Sequence, residues 1–271
     1  MPTQTEKAER FLALHHRAQP LLMPNPWDRG SAALLASLGF EALATTSSGF
    51  AATLGRLDGA VSRDEAIGHG QWLAEGTDLP VSADLENCFA DDPAGVAETV
   101  RLAVAAGLAG CSVEDYAKRD EDPIYDHALA AERVAAAAEV AHSGPVHLVL
   151  TARAENYLRG KPYLADTITR LQSYAEAGAD VLFAPGVTKP EEIRELVASV
   201  DRPVNVLALP GTPPVAELAA IGVKRISIGG AFAFYALDAL AHAAREFREH
   251  GSYGYWDRVR SGAAAARAAF G

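Results

Sequence analysis

Apolar positions along the chain alternate between two rhythms, a helical stripe and a short β-prone run, joined in several places by a glycine. The unit recurs in SLGFEALATTS, AAGLAGCSVED, EAGADVLFAPG and AIGVKRISIGG, with Gly39, Gly107, Gly178 and Gly222 where a helix ends. A glycine one residue beyond a helix takes a positive φ without a Cβ clash, so each marks a helix handing over to a strand. Helix starts are legible too: Ser62 to Glu65 and Thr188 to Glu191 fit the capping box, and Asp92 before Pro93 fits an N-cap followed by proline. After Thr188, Ile193, Leu196, Val197 and Val200 keep the i, i+3, i+4, i+7 spacing of a one-faced helix.

The intervening runs predict strands near residues 21–26, 42–47, 80–86, 110–115, 147–153, 180–185, 203–209 and 225–229. Runs such as VLFA and VNVLAL are apolar throughout, as parallel strands covered on both faces are. Eight strands alternating with helices predict a (β/α)₈ TIM barrel occupying residues 1–271 as one domain. A doubly wound open sheet is the alternative, weakened by the lack of a GxGxxG after the first strand. Residues 251–271 form an extra C-terminal helix whose Tyr253, Tyr255 and Trp256 ask for a docking surface, such as another subunit.

Composition narrows the partners. A chain of 271 residues, 49% hydrophobic and 22% charged, has ample material for a packed core. Its net charge of −11 opposes binding to nucleic acid or anionic membranes. A small anionic substrate would therefore need a metal ion or a buried arginine. Two cysteines without CxxC spacing, no apolar run of membrane-span length and no leader-like N-terminus predict a cytoplasmic protein.

In a barrel the chemistry sits where the strands end. The third run ends in Asp84, Leu85 and Glu86, the fourth in Glu114 and Asp115, the fifth in Arg153, Ala154 and Glu155. Strand alternation would put Asp84 and Glu86 on one face. One acid at a strand end is as readily a helix cap or a surface ion pair, but Asp84, Glu86 and Glu114 at the mouth of one barrel call for a cation, and Mg²⁺ suits oxygen ligands. Arg153 closes an apolar strand and either grips a substrate carboxylate or pairs internally with Glu155 or Glu114. Thr45 through Gly49 offer hydroxyls and N–H groups to the same carboxylate. No histidine is placed to act as a base; His147 opens the fifth strand at the wrong end.

Taken in order, PNPWDRGSA, TTSSGFAATLG, SADLEN, SVED and TARAE make the chain resemble the isocitrate lyase and phosphoenolpyruvate mutase superfamily over residues 21–251. The resemblance implies Mg²⁺ (with Mn²⁺ as a substitute) ligated by Asp84, with Glu86 and Glu114 holding its waters. It further implies that Arg153, Ser47, Ser48 and Gly49 bind the substrate carboxylate and that Asp58 stands at the mouth; Asn205 joins the substrate contacts. Lys118 and Tyr116 are the candidate proton donors, in a loop, residues 116–123, that could act as a lid. The expected reaction is C–C cleavage of a small 2-oxo or 2-hydroxy carboxylate through an enolate, with P–C chemistry or a non-catalytic ligand-binding barrel as alternatives. Family members swap a C-terminal helix, so a homodimer or homotetramer is expected. Two departures stand out: the family's D-x-D-x-G-Y-G reads Asp84 to Ala90 with both glycines replaced, and the K-x-C-G-H loop reads Tyr116 to Asp120 without the cysteine.

Overall fold

The computed structural model describes residues 1–271 and contains eight parallel strands: β1 Leu21–Met23, β2 Leu43–Ala44, β3 Val81–Asp84, β4 Gly110–Glu114, β5 Val149–Arg153, β6 Val181–Phe183, β7 Val204–Leu207 and β8 Arg225–Ser227. Their order, β1-β8-β7-β6-β5-β4-β3-β2, is that of a barrel opened between the first and second strands. The gap is nearly closed by one backbone bond, Ala44 N–H to the Pro24 carbonyl at 3.1 Å. The fold is a (β/α)₈ barrel, as the alternating pattern predicts, and not an open sheet.

The helices are α1 Gln4–Leu14, α2 Arg29–Ser37, α3 Ser47–Thr53, α4 Arg63–Glu75, α5 Pro93–Ala105, α6 His127–His142, α7 Leu164–Glu176, α8 Pro190–Ala198, α9 Val215–Ile221, α10 Ala231–His250 and α11 Trp256–Phe270. Gly39, Gly107, Gly178 and Gly222 all have positive φ, 79° to 105°. Ser62 and Glu65 form the expected capping box, and Asp92 caps α5 ahead of Pro93. The box at Thr188 does not form: Lys189 is the N-cap of α8, and Pro190, fixed near helical φ, sets the first turn one residue later.

The main core lies between the strands and their helices, where Leu85, Leu108, Leu150, Leu171 and Leu182 are fully buried. A second cluster plugs the N-terminal end of the barrel, with Phe11 and Leu14 of α1 packed on Leu21, Val149 and Val181. Helix α10 is mostly uncovered: Phe234, Tyr235 and Leu240 are 51%, 68% and 65% exposed. Helix α11 returns to pack on α2. No helix is long and apolar enough to cross a membrane.

Candidate active site

Two adjoining hollows open at the C-terminal ends of the strands. The deeper, about 220 Å³, runs down the barrel axis and is walled by Thr45, Asp84, Ser112, Thr151, Arg153 and Arg225, among others. The shallower, about 360 Å³, is walled chiefly by Asp58, Glu86, Glu114, Tyr116, Lys118 and Arg159. Ser47, Asp58 and Arg153 border both.

Arg153 is the hub. Its Nη1 lies 2.9 Å from Asp84 Oδ1, its Nη2 3.1 Å from Glu114 Oε2 and 2.6 Å from Glu155 Oε1. Register explains the meeting, since Glu114 and Arg153 are direct partners across β4 and β5. Phe183, the Arg153 partner on β6, holds its ring 5.3 Å below the guanidinium. The arginine is therefore internally paired, with Glu155 and Glu114 as the sequence allowed and with Asp84 besides, and it also lines both hollows.

Asp84 ends β3, and its other oxygen accepts the Ser47 N–H at 3.2 Å. Ser47 lies in a helix rather than at the end of the strand expected over residues 42–47. Thr46 caps α3, so Ser47, Ser48 and Gly49 form its first turn, and the strand is only Leu43–Ala44. The polar side chain of Thr46 competes with the ladder for the backbone and ends the strand early.

Glu86 reaches the mouth by a different route from strand alternation. β3 stops at Asp84, and Glu86, Cys88 and Phe89 follow with φ of 51°, 58° and 56°. Cys88 stands at the first glycine of the family stretch, so the departure noted in the sequence is a left-handed turn built from residues that resist it. Buttresses hold it: Thr99 Oγ1 donates to the Cys88 carbonyl at 2.7 Å, and Arg133 donates to the carbonyls of Asn87, Ala90 and Glu114. Burial pushes the Cys88 thiol up to about 12, which removes it as a nucleophile.

Glu86 pairs with Lys118 at 2.5 Å. Tyr116 is clamped, its ring 3.5 Å beneath the Arg159 guanidinium. Residues 116–124 form a loop tied by the Tyr116–Ile124 bridge and an Ala117 N–H to Pro123 carbonyl bond of 2.6 Å. Asp115 points into the wall, taking bonds from Tyr174 and Arg170. Asn205 is 1% exposed and committed to its neighbours, accepting from Arg225 Nε at 3.0 Å and donating to Ser227 Oγ at 3.0 Å.

Burial raises the Glu86 carboxyl despite Lys118, and raises Glu114 well above the usual carboxylate range despite Arg153. Asp84, Glu86, Glu114 and Asp58 line the two hollows, and a divalent cation held through oxygen donors and waters fits that donor set. The acids are not a compact chelate, however, because the Arg153 guanidinium lies between Asp84 and Glu114. The one trio of ligand atoms within 4.8 Å of one another is His142, His147 and Asp180, at the N-terminal end of β5 and β6. Sequence reading passed over it because its members flank three different elements. Glu155 pairs with Arg153 as the sequence allowed, whereas Arg159 and Arg225 were missed, although Arg225 inside an apolar strand was a visible signal.

The family model described as phosphoenolpyruvate phosphomutase matches residues 11–248. A solved structure from Burkholderia cenocepacia J2315, provisionally described as a lyase/mutase, is 50% identical and superposes with a TM-score of 0.91 over 93% of this chain and 91% of that one. An uncharacterized protein of Mycobacterium tuberculosis is 35% identical over 237 residues, 87% of each chain. A Corynebacterium glutamicum protein provisionally named 2-methylisocitrate lyase is 31% identical over 211 residues, 75% of this chain and 66% of that protein.

Proposed function

We propose, starting from the fact that the chain belongs to the phosphoenolpyruvate phosphomutase family of lyases and mutases, that it is a Mg²⁺-dependent enzyme cleaving a C–C bond of a small 2-oxo or 2-hydroxy di- or tricarboxylate through an enolate. The observation that carries this reading is the convergence of Asp84 and Glu114 on Arg153, with Glu86 and Lys118 paired in the adjoining hollow.

Asp84 would ligate the cation, with Glu86 and Glu114 holding its waters. Bound there, Mg²⁺ would supply Lewis-acid stabilisation of a developing oxyanion. Arg153 keeps a planar fork toward the cavity and binds the substrate carboxylate, helped by N–H and hydroxyl groups of Ser47 and Ser48 at the start of α3. Gly49 lets that turn sit against Thr46 and Ala233, which a Cβ would meet at 2.6 and 3.2 Å. In a 2-oxo acid the electron pair of the breaking C–C bond stays with the 2-oxo carboxylate fragment as an enolate while the other fragment leaves as CO₂. In a 2-hydroxy acid the hydroxyl gives up its proton to become the 2-oxo carbonyl, and the pair stays, as an enolate, with the departing carboxylate fragment. In both, the carbon that keeps the pair must take up a proton. Lys118, hydrogen-bonded to Glu86 and facing the hollow, donates it; Tyr116, fixed under Arg159, orients the loop. Asp58 adds negative charge at the mouth and favours the bound cation.

The exposed apolar side of α10 and the aromatic tail support a homodimer or homotetramer in which C-terminal helices pack between subunits. Two buried free thiols suit a cytoplasmic setting.

The test is a pyruvate-release assay over oxaloacetate, 2-methylisocitrate, dimethylmalate and phosphonopyruvate. Turnover of a C–C substrate that stops with EDTA is expected. Turnover of phosphonopyruvate alone would transfer the site to P–C chemistry, and binding without turnover would make it a ligand-binding barrel.

A further inference from the structure

Beneath Arg153, on the floor of the axial hollow, lies a second guanidinium without a carboxylate. Arg225 is 3% exposed and forms no ion pair, whereas Arg153 has three acids around it. Its Nε donates to Asn205 Oδ1 at 3.0 Å, and its Nη1 to Thr151 Oγ1 at 3.0 Å and to His15 Nε2 at 3.3 Å. His15 can accept because its Nδ1 donates to the Phe11 carbonyl at 2.8 Å, and burial with the neighbouring Arg225 holds its pKa down to about 3. The other terminal nitrogen, Nη2, has no protein partner, and Arg225 forms part of the cavity wall.

A buried cation is costly unless it meets an anion. Every group it hydrogen-bonds is neutral, and burial together with the Arg153 cation lowers the Arg225 pKa to about 9. Ser82, Ser112, Thr151 and Ser227 line the same hollow with hydroxyl groups. A site of one arginine fork ringed by hydroxyls has the chemistry of a carboxylate or phosphate receptor.

We infer that the barrel floor is a second anion subsite, in which Arg225 Nη2 takes the remote carboxylate of a substrate whose reacting 2-oxo carboxylate is held above by Arg153. This rests on the proposed reading of the upper site and narrows its substrate to one carrying two anionic groups at opposite ends. A cavity of about 220 Å³ has room for several waters and hence for a small diacid that displaces them. Asn205 then serves recognition indirectly, by holding the Arg225 Nε side of the fork.

The experiment is calorimetric binding of inorganic phosphate in EDTA to the wild type, Arg225→Gln and Arg225→Lys, with folding checked by circular dichroism. Wild-type binding weakened at least tenfold by Arg225→Gln and less by Arg225→Lys is expected. Succinate should displace the phosphate, while pyruvate should not. Equal phosphate affinity in all three proteins, no phosphate binding to the wild type, or simultaneous binding of phosphate and succinate would overturn the inference. Asp84→Asn should leave phosphate binding in EDTA intact. No pyruvate release by the wild type from any of the four compounds, with phosphate binding preserved, would therefore sink the lyase reading alone.

Discussion

Acid should destabilise this protein through one buried histidine. His15 lies on the barrel plug, edge-on to Phe11 with ring centroids 4.7 Å apart, and its pKa falls from 6.5 to about 3 because burial and Arg225 disfavour a second cation. In the unfolded chain the same imidazole titrates near 6.5, so between that value and about 3 the unfolded state binds a proton that the native state refuses. Stability therefore falls as pH drops through this window. From pH 7 to pH 5 the loss is about 2 kcal/mol, at ~1.4 kcal/mol per pH unit below the unfolded pKa. This value depends little on the folded pKa, which lies well below pH 5. Carboxyls whose folded pKa is raised, Glu86, Glu114 and Asp115, act in the opposite sense, since their native forms take up protons first. They are common to both proteins in a comparison of wild type with His15→Gln and cancel there. Urea unfolding at pH 7, 6 and 5 should show the wild type losing about 2 kcal/mol more than the variant. Parallel pH dependence in the two proteins would refute the assignment of a neutral, proton-refusing His15.

Three further outcomes follow from the site. Arg153→Lys keeps the charge but loses the planar fork bridging Asp84, Glu114 and Glu155, and should cut kcat/KM about 10²-fold in the pyruvate-release assay with the thermal midpoint little changed. Lys118→Met removes the proton donor and should lower kcat by about 10² to 10⁴ while product affinity stays within a few-fold, measured by inhibition with pyruvate. Gly49→Ala forces a Cβ to within 2.6 Å of Thr46 Cγ2 at the start of α3, and should cost about 1–3 kcal/mol in chemical unfolding.

The barrel was legible because its repeating signals are local. Each glycine after a helix and each apolar run carries its own geometry, and Gly39, Gly107, Gly178 and Gly222 all adopt the conformation their positions demand. Asp84, Glu114 and Arg153 could be found for the same reason, since strand ends in a barrel point to one place. What the sequence concealed depends on competition or on distance. The strand before Thr45 is cut short by the cap of α3, and Glu86 arrives by a left-handed turn that alternation cannot foresee. That turn is held by Arg133, forty-seven residues on, whose guanidinium no local pattern connects to it. The His142, His147 and Asp180 trio, and the position of Arg225 against His15, likewise exist only after the chain has closed.

That trio also supplies the sharpest control on where the functional metal resides. Both histidines donate to Asp180, whose carboxyl, raised by burial, is carried below its usual range by the bonds from His142, the Leu150 N–H and His147. The most direct measurement is calorimetric titration of Mg²⁺ into the wild type, Asp84→Asn and Asp180→Asn. Placement of the metal among the strand-end acids predicts one Mg²⁺ per wild-type chain, affinity reduced more than tenfold by Asp84→Asn, and no change with Asp180→Asn. Mg²⁺ binding untouched by Asp84→Asn, or abolished by Asp180→Asn, would contradict it.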